Sequence, residues 1–480
     1  MKFGGTSMGN VECIRRAAEI VSSSVRQGAS VVAVVSAMSG VTNRLVEGAH
    51  HAAGGDESAC VDLADSLRAR HAVVIEGLIA DVRKRDGLRA EVERIVGEMT
   101  SVCRGTALIR DLTPRSLDAI SSAGERLSAR LMAAALCELG LQGVAVEANE
   151  LIVTDDEHGQ AEPLTAETRA RASEQLLPLL AEGVVPVVTG FIGATREGKL
   201  TTLGRGGSDY SATILGAALG AGEIIIWTDV DGVLTADPRL VPEARTIGEI
   251  SYHEAAELAF FGAKVLHPKT LRPVAAKGIP VWIRNSFAPE KSGTKITAMG
   301  RPSLSGVKAI TAINHVSLIT VGGIGIVGVP GVAARTFTAA ASVRANILLI
   351  SQSSSQNDIC FIVDTADAAR TIEALRQAFA RDLAHHQVEH ITVDSEIAIV
   401  AAVGEKMRGT PGIAGRTFST LGRERINIIV IAQGSSEYNV SFVVEANAMC
   451  RAVAAIHREF NLERSAPRND DREESVLVGG

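Results

Sequence analysis

The stretch VPGVAARTFTAAASVRANILLISQSSSQNDICFIVD, residues 329–364, decides the C-terminal fold because it occurs twice. Residues 410–445 read TPGIAGRTFSTLGRERINIIVIAQGSSEYNVSFVVE, which matches the first stretch without a gap. Equivalent residues lie 81 positions apart: Pro330 and Pro411, Asn346 and Asn427, Gln352 and Gln433. A repeat of this length indicates two copies of one fold. Each copy combines a strand, a Gly/Pro loop, a helix, two strands and a second helix, so we predict two βαββαβ units.

Upstream of the repeat, short apolar runs alternate with long helical patterns over roughly the first 290 residues. Such runs, rich in β-branched residues, suit strands of a parallel sheet that are buried on both faces. They occupy residues 31–35, 144–146, 184–189, 224–228 and 279–283. Between residues 61 and 112, apolar side chains recur at helical spacings. This alternation predicts a covered α/β sheet, with ligands bound where loops leave the carboxyl ends of the strands.

The change of pattern after the α/β region gives predicted domain boundaries. We predict a first domain over residues 1–295 and the two repeat units over residues 306–385 and 394–464. Residues 465–480 are polar and charged, which is typical of a disordered tail. A chain of 480 residues is long enough for this number of domains.

Composition argues against several classes of function. Aromatic residues make up 3% of the chain and the formal charge is −7, so we expect no nucleic-acid partner. No apolar run approaches the roughly 20 residues of a membrane span, and no signal peptide precedes Phe3. The six cysteines show neither paired nor metal-like spacing, which is typical of reduced, mostly buried thiols. We therefore expect a soluble cytoplasmic protein with no membrane partner.

The first loop that carries chemistry lies at the start of the chain. It contains a cation, a glycine pair and two hydroxyls: Lys2, Gly4, Gly5, Thr6 and Ser7. A helix is predicted to begin near Val11. Backbone N–H groups beside adjacent glycines, together with a nearby cation, are typical of an anion-binding nest. A plain strand-to-helix turn that uses glycine for a positive φ explains the same residues, and both interpretations stay open for this loop alone.

A second loop of the same kind is TTLGRGGSDY, residues 201–210, which precedes a helical pattern over residues 212–219. Two such loops in one α/β domain suggest one polyphosphate held from two sides. Arg205 has the planar fork that suits a carboxylate. For Asp209 the sequence leaves three roles open: holding Lys2, helping to ligate a metal, or capping the helix.

A third segment, WTDVDGVLTADPR at residues 227–239, leaves a buried strand at its carboxyl end. Its aspartates can form an acidic metal loop, although turn formation is the favoured role of Asp231 and Asp237. Arg239, and Lys264 in FGAKVLHPKT, are nearby cations that can meet phosphates or stay solvated.

Residues 323–328 match the dinucleotide-binding pattern GxGxxG between a strand and a helix. No acidic residue follows about 20 positions later, where a ribose partner is required. The second copy of the repeat also lacks the middle glycine. We therefore interpret this match as a coincidence.

Six segments of the chain together resemble the aspartate kinases in sequence, order and approximate spacing. They are KFGGTS, VVSAMSGVTN, GERLSAR, TGFIGATREGKLTTLGRGGSDYSA, WTDVDGVLTADPR and FGAKVLHPKT. Aspartate kinases belong to the amino-acid-kinase superfamily, and the repeat units resemble their tandem ACT domains. The resemblance covers nearly the whole chain. It implies an α/β, three-layer, parallel-rich kinase domain followed by two βαββαβ domains of the ACT, ferredoxin-like type.

The resemblance implies ATP-dependent phosphorylation of the L-aspartate β-carboxylate to 4-phospho-L-aspartate, which begins lysine, threonine and methionine biosynthesis. Mg²⁺ is expected on the phosphates, with no metal ligand from the protein. A carboxylate nucleophile is already ionised at neutral pH, so positioning and charge neutralisation suffice without a general base.

The resemblance also implies roles for individual residues. Lys2 and Asp209 are the catalytic pair, with Asp209 orienting the lysine. Glu125 pairs with the ammonium group of aspartate and Arg205 with its carboxylate. The implied substrate-binding residues are Ser36, Thr42, Glu125, Arg205 and Ser208. The implied ATP-binding residues are Gly4, Gly5, Thr6, Ser7, Thr228, Asp229, Arg239 and Lys264.

The ACT pair implies feedback inhibition by an amino acid and a homodimer or tetramer formed through these domains. The implied effector-binding residues are Asn346, Gln352, Asn427 and Gln433. Similar glutamines occur in threonine-sensitive relatives, so we favour threonine over lysine as effector. The open alternative is that one copy serves only as a scaffold.

Two other functions are weighed against a feedback-regulated aspartate kinase. A non-catalytic amino-acid sensor built on an inactive kinase domain would have lost Lys2, Arg205 or Asp209, and all three are present. A related kinase acting on glutamate or N-acetylglutamate is disfavoured by GERLS and by the tandem ACT units.

Two features depart from the usual pattern of the relatives. Leu234 stands where relatives often carry an aromatic residue, so no ring contact with adenine is expected there. The chain starts one residue before Lys2, so we expect either an upstream start or an unusually short first strand. No downstream homoserine dehydrogenase is expected, since the sequence ends at Gly480.

Overall fold

A computed structural model describes residues 1–263, 266–303, 305–352, 357–405, 407–432 and 438–463. The chain divides into two compact units. Unit 1 contains Met1–Val233, Thr246–Ala256 and Val265–Gly300, and unit 2 contains Leu234–Arg245, Glu257–Lys264 and Arg301–Gly480. Two short segments of the predicted first domain therefore belong to unit 2, and the predicted boundaries themselves stay predictions.

Among the described residues, the elements that lie wholly or mainly in unit 1 are ten strands and ten α-helices. In chain order they are β1 (Lys2–Phe3), α1 (Val11–Arg26), β2 (Ala33–Val35), α2 (Val41–Ala53), α3 (Glu57–Leu78), α4 (Val82–Ile109), α5 (Pro114–Ser121), α6 (Ala123–Glu138), β3 (Gln142–Val146), α7 (Thr165–Ala181), β4 (Val184–Thr189), β5 (Ile192–Ala194), β6 (Leu200–Thr202), α8 (Gly207–Leu219), β7 (Ile224–Thr228), β8 (Glu249–Ser251), α9 (Tyr252–Phe260), α10 (Pro268–Ala275), β9 (Val281–Asn285) and β10 (Thr294–Thr297). Short 3₁₀ helices cover Thr6–Met8 and Ala148–Glu150.

Eight strands of unit 1 form one sheet in the order β3-β4-β2-β1-β7-β9-β10-β8. Every neighbouring pair is parallel except β9 and β10. Helices α1 and α6 pack together, and α6 contacts β3 and β4. Helices α7 and α8 also pack together, with α7 against β4 and α8 against β7. This arrangement confirms the predicted three-layer, parallel-rich α/β domain.

The central strands of the sheet are as apolar as the sequence predicts. Every residue of β4 is buried, because helices cover both faces of this strand. The same expectation is wrong for β3, which lies at the edge of the sheet and leaves Val144 43% exposed. The helical pattern over residues 61–112 is confirmed as α3 and α4. Both helices begin where an aspartate, Asp56 or Asp81, accepts hydrogen bonds from backbone N–H groups of the first turn.

The described residues of unit 2 contribute six further strands and five α-helices. They are β11 (Ala309–Gly322), α11 (Val332–Ser342), β12 (Ile347–Gln352), β13 (Asp358–Asp364), α12 (Thr365–Ala378), α13 (Ala380–Ala384), β14 (His390–Val403), α14 (Ile413–Arg423), β15 (Val430–Ala432), β16 (Asn439–Glu445) and α15 (Met449–Glu459). Three short 3₁₀ helices cover Ile324–Ile326, Met407–Gly409 and Ala446–Ala448.

The strands of unit 2 join in the order β12-β13-β11-β14-β16-β15, and every neighbouring pair is antiparallel. The second half of β11 lies between β13 and the first half of β14, which completes the first βαββαβ copy. The first half of β11, residues 309–313, instead pairs with residues 399–403 of β14. The last strand of the second copy therefore precedes the first copy in the chain.

The two copies repeat their internal contacts as well as their sequence. Helices α11 and α14 both follow a glycine in the left-handed region, Gly331 at φ 90° and Gly412 at φ 93°. Arg335 stacks on Phe379 in the first copy, as Arg416 does on Phe460 in the second. The prediction of two copies of one fold is confirmed.

Two general expectations from the composition concern the cysteines and membrane-spanning segments. The cysteines are free, but only Cys60 and Cys103 are buried, whereas Cys137 and Cys450 are exposed. The expectation that most of the thiols are buried is therefore wrong, since several lie on outward faces of helices. Within the part of the chain that the structure describes, no helix is long and apolar enough to cross a membrane.

Candidate active site

The carboxyl ends of four parallel strands, β2, β1, β7 and β9, meet at one edge of the unit 1 sheet. The chain segments that follow these strands are connected by backbone hydrogen bonds. Gly4 N donates to Trp227 O at 3.1 Å, Ser36 N to Phe3 O at 3.0 Å, and Ser286 N to Thr228 O at 2.8 Å. Residues far apart in sequence therefore converge at the edge where α/β sheets bind ligands.

Lys2 and Asp209 form an ion pair at this edge. Lys2 Nζ lies 2.6 Å from Asp209 Oδ1, and the two side chains are 9% and 16% exposed. Lys2 reaches this position because β1 lies between β2 and β7 in the middle of the sheet. Asp209 lies in the first turn of α8, which begins after Gly206 at φ 71° without a side-chain cap among the described residues. The pairing role left open for Asp209 is the one that this geometry favours over capping.

The first predicted loop is a tight turn after β1. Met8 N donates to Gly4 O at 3.1 Å, and residues Thr6–Met8 form the 3₁₀ helix. Ser7 is buried, and its Oγ lies 2.8 Å from Ser286 Oγ. Thr6 is exposed, while Gly4 is buried and Gly5 half-buried. No motif singles out Ser286, which holds this turn against the end of β9.

Glu125, in the first turn of α6, is a buried carboxyl group that is only 3% exposed. Burial raises its pKa to about 8, although hydrogen bonds from backbone N–H groups, including that of Ala37, and the charge of Lys2 act in the opposite direction. Its Oε2 atom has no hydrogen-bond partner among the described residues. An unpartnered buried oxygen of this kind fits a cationic group of a ligand.

Gly124 allows the start of α6 to approach the loop that follows β2. A Cβ atom at residue 124 would lie 2.6 Å from Ala37 Cβ and 3.3 Å from Val41 Cγ1. Ser36 and Thr42 belong to this loop and to the first turn of α2, and both are half-buried. The glycine of the GERLS segment therefore brings the start of α6 against the chain segment that contains two of the predicted substrate-binding residues.

Replacing Gly124 by alanine is expected to lower the free energy of unfolding by about 1–3 kcal/mol, because the added methyl group overpacks this contact. The matched control is Gly105→Ala, since Gly105 is exposed within α4 and a Cβ there meets nothing within 4 Å. The control is expected to raise the free energy of unfolding by up to about 1 kcal/mol. Urea denaturation measures both changes, and equal stability of the two variants would contradict this prediction.

The second predicted loop lies between β6 and α8. Ser208 is buried and packs closely on Gly190, where an added Cβ would lie 2.6 Å from Ser208 Cβ. Arg205 is exposed, and its guanidinium makes no hydrogen bond or ion pair with any residue that the structure describes. Phe191, which follows Gly190, has φ 68°, a conformation uncommon for a side chain of this size. Its N–H donates to Ser211 Oγ at 2.9 Å, so α8 stabilises this conformation.

The third segment is divided between the two units. Thr228 is half-buried at the end of β7, Asp229 is exposed, and both lie in unit 1. Arg239 lies in unit 2, where it is 77% exposed and pairs with Asp237 at 2.6 Å. Lys264 lies outside the described residues.

The aspartates of this segment make local contacts that suit turns. Asp237 Oδ1 accepts the Arg239 N–H at 2.9 Å, and Asp231 accepts from Asn285 and Lys291, each at 2.6 Å. No group of three or more His, Cys, Asp or Glu side chains within the described part of the chain is arranged to hold a metal ion. The turn-forming role is therefore the one these contacts favour.

The predicted effector residues Asn346 and Asn427 lie in unit 2 on equivalent turns of the two copies. Asn346 and Asn427 are exposed, and each follows an arginine of positive φ by two residues, Arg344 at φ 55° and Arg425 at φ 54°. Gln352 is exposed at the end of β12. Gln433 lies outside the described residues.

Sequence reasoning missed a buried polar cluster beside the second loop. Asp118 of α5 is 2% exposed and lies within hydrogen-bond distance of Thr202, His158 and the backbone of Gly159. No motif in the sequence marks Asp118, because a single aspartate within a helix is usually solvated. The only available signal was the pair Thr201-Thr202, in which a strand places successive hydroxyls on opposite faces.

Comparison with known proteins agrees with this architecture. The family model described as Amino acid kinase family matches residues 1–285, and a model of the ACT domain matches residues 319–379 and 400–460. The chain is 36% identical over 470 residues to the chloroplastic bifunctional aspartokinase/homoserine dehydrogenase 1 of Arabidopsis thaliana, covering 97% of this chain and 51% of the relative. The chain thus spans about half the length of the first curated relatives that it matches.

Two further comparisons extend over nearly the full length of both partners. Lysine-sensitive aspartokinase 3 of Escherichia coli is 34% identical over 458 residues, covering 95% of this chain and 97% of the relative. The crystal structure of E. coli aspartokinase III in complex with aspartate and ADP has a TM-score of 0.79 and 32% identity, covering 95% of this chain and 98% of that chain. The fold and its matches define an amino acid kinase with two ACT domains. The chain belongs to the aspartokinase family, as the sequence resemblance predicts.

Proposed function

We propose that this chain is an aspartate kinase, which transfers the γ-phosphoryl group of ATP to the β-carboxylate of L-aspartate and forms 4-phospho-L-aspartate. The observation that carries this proposal is the convergence of three ionisable groups at one end of unit 1. Lys2 and Asp209 form a largely buried ion pair, and Glu125 is a buried carboxyl with an unpartnered oxygen. The relative whose crystal structure contains aspartate and ADP supports the same substrates.

The proposed roles follow from the chemistry of each side chain. Glu125 binds the ammonium group of aspartate, since its Oε2 lacks a partner. Arg205 binds the α-carboxylate through its planar fork, and its guanidinium is exposed. Ser36, Thr42 and Ser208 surround the substrate. The β-carboxylate is then aimed at the phosphoryl group, and no base is needed because this carboxylate is ionised at neutral pH.

The phosphate groups are proposed to lie against the turn after β1. Lys2 neutralises charge that develops on the transferring phosphoryl group, and Asp209 holds its ammonium group in place. Gly4, Gly5, Thr6 and Ser7 provide the turn, while Thr228 and Asp229 of the same unit contact the nucleotide. Mg²⁺, when bound to the ATP phosphates, supplies further charge neutralisation. We assign no protein ligand to this ion.

The test is the formation of a hydroxylamine-trappable acyl phosphate from L-aspartate and Mg-ATP. The expected result is an aspartyl hydroxamate that requires both substrates. Parallel reactions with glutamate and N-acetylglutamate examine the related kinases, for which little product is expected. Product from glutamate but not aspartate would replace the proposed substrate, and no product from any of the three would favour the non-catalytic sensor.

We further propose that the ACT copies bind an amino acid effector and assemble the chain into a homodimer or tetramer. Threonine is the proposed effector in preference to lysine, as the glutamines at positions 352 and 433 suggest, although the E. coli relative is named lysine-sensitive. Within the cell we assign the protein to the cytoplasm, as its composition predicts.

Replacing Asn346 or Asn427 by alanine is expected to raise the threonine concentration for half-inhibition at least about tenfold, because a hydrogen bond to a charged ammonium is lost. Basal activity should not change, since both residues are exposed in unit 2. Inhibition curves with threonine, with lysine and with both measure the effect. The pair of variants also examines the scaffold alternative, in which only one of the two substitutions relieves inhibition. Inhibition of the unmodified protein by lysine alone would contradict the assignment of threonine.

A further inference from the structure

Asp118 is a buried carboxylate that the proposed mechanism does not use. Thr202 Oγ1 donates to its Oδ1 at 2.5 Å, while His158 Nδ1 and the Gly159 N–H donate to Oδ2 at 2.7 Å and 3.2 Å. Since an ionised carboxylate only accepts, the proton on the His158 ring is assigned to Nδ1. A carboxylate that is 2% exposed is costly to bury unless its oxygens are satisfied, and here three donors satisfy them.

The donors come from the two chain segments that support the second loop. Thr202 is the last residue of β6 and stands three positions before Arg205. The segment that contains His158 and Gly159 packs on this loop, because Ala161 N donates to Thr202 O at 3.0 Å. A Cβ atom on Gly204 would lie 3.0 Å from Gly159 O. Asp118 therefore binds both segments: the end of β6, which precedes Arg205, and the segment of His158 and Gly159, which packs on the loop of Arg205.

The backbone of Asp118 is connected to the start of α6. Its carbonyl accepts the Ser122 N–H at 3.0 Å, and Ser122 is the residue between the end of α5 and the start of α6. Glu125 lies in the first turn of α6. One residue thus connects the helix that carries Glu125 with the loop that carries Arg205.

We infer that Asp118 is a positioning residue, which holds Glu125 and Arg205 at the spacing that the ammonium and carboxylate groups of one α-amino acid require. The inference rests on the proposed function of these two residues. When Glu125 and Arg205 are held at the correct spacing, the site binds both groups without first ordering the loop. Loss of the Asp118 contacts therefore weakens aspartate binding more than ATP binding. Asp118 itself touches neither substrate.

The experiment compares two substitutions of neighbouring buried threonines. Thr202→Val removes the hydroxyl that donates to Asp118. Thr201→Val is the matched control, because Thr201 is 0% exposed and its Oγ1 lies 2.7 Å from Thr154 Oγ1 rather than near Asp118. Both variants lose one buried hydroxyl contact from the same strand, so both are expected to lower the temperature of unfolding by similar amounts.

We expect Thr202→Val to raise the KM for aspartate about tenfold or more while the KM for ATP changes less than about twofold. Thr201→Val should leave both values near those of the unmodified protein, and Thr202→Ser, which keeps the hydroxyl, should restore the aspartate KM. Asp118→Asn should reproduce the effect of Thr202→Val, and adding Thr202→Val to it should have little further effect.

An equal aspartate KM in Thr202→Val and Thr201→Val would overturn the positioning role and leave the proposed function intact. An equal loss of affinity for aspartate and for ATP in Thr202→Val would likewise overturn the positioning role and leave the proposed function intact. Failure of the unmodified protein to form the hydroxamate from aspartate would overturn the proposed function and this inference together.

Discussion

Replacing Lys2 by methionine is expected to lower kcat about a thousandfold while changing the KM for aspartate far less. Lys2 Nζ is held by Asp209 at 2.6 Å, at the carboxyl end of a strand in the middle of the sheet. A fixed positive charge beside a transferring phosphoryl group stabilises the transition state more than the ground state. Removing one such preorganised group typically costs two to three powers of ten in rate, on the order of 3–4 kcal/mol. The initial rate of hydroxamate formation at saturating substrates measures the loss.

The same substitution leaves the charge of Asp209 without its counter-ion, so a loss of stability must be separated from a loss of catalysis. Lys2→Met alone is expected to lower the free energy of unfolding by a few kcal/mol, because the pair is largely buried. The double variant Lys2→Met with Asp209→Asn removes both charges and should regain much of that stability while remaining inactive. Activity that returns with stability would show that the lysine is structural.

A second lysine offers a control at the far end of the same domain. Lys84 Nζ pairs with Glu138 Oε1 at 2.8 Å, and Glu138 ends the helix α6 whose first turn carries Glu125. A helical rise of about 1.5 Å per residue places this pair about 20 Å from Glu125. Lys84→Met is therefore expected to leave kcat unchanged. A similar loss of kcat in Lys2→Met and Lys84→Met would point to a general effect of charge.

The ion pair also illustrates what a single sequence can predict. Lys2 and Asp209 are 207 positions apart, yet each stands in a glycine-rich loop next to a predicted strand or helix. Two such loops in one α/β domain suggest one ligand held from two sides, and pairing with Lys2 is one of the three roles that the sequence leaves open for Asp209. The period of the repeat likewise predicts two βαββαβ copies, which the structure confirms.

Other features depend on pairings that no local pattern encodes. The strand β11 is one continuous strand of 14 residues with the exposed polar pair Asn314 and His315 in its middle, and nothing within it shows that residues 309–313 complete the second copy rather than the first. That choice depends on hydrogen bonds to β14, which lies far away in the sequence. Asp118 was missed for a similar reason, since its three donors belong to segments 40 to 84 positions later.

Replacing Glu125 by glutamine is expected to raise the KM for aspartate about a hundredfold at alkaline pH, because the ammonium group loses its buried counter-charge. The KM for ATP should change little. The pKa of Glu125 in the free protein is about 8, so below that pH most molecules carry a neutral carboxyl and must lose a proton before they bind an ammonium group. The aspartate KM of the unmodified protein should therefore fall about tenfold per pH unit up to about pH 8 and then level off.

The glutamine variant is the control for this pH dependence. Any variation with pH that both proteins share belongs to the nucleotide or to other residues, whereas the difference between them belongs to Glu125. Steady-state kinetics from about pH 6.5 to pH 8.5 cover the predicted window. An aspartate KM of the unmodified protein that is flat across this range would contradict the elevated pKa.

The elevated pKa of Glu125 also has a consequence for the free protein without substrate. Its folded-state pKa of about 8 lies above the ordinary value of 4.5, so between these values the folded protein binds more protons than the unfolded one. Stability should therefore fall as pH rises through this window, by roughly 4–5 kcal/mol in total from this group.

Glu125→Gln removes this dependence of stability on pH, so the variant should unfold at a higher temperature than the unmodified protein near pH 9. Saturating aspartate should reverse that order, because its ammonium group restores the missing partner only where Glu125 is present. Thermal unfolding at two pH values, with and without aspartate, thus distinguishes a substrate-binding carboxylate from a buried acid that serves only the fold.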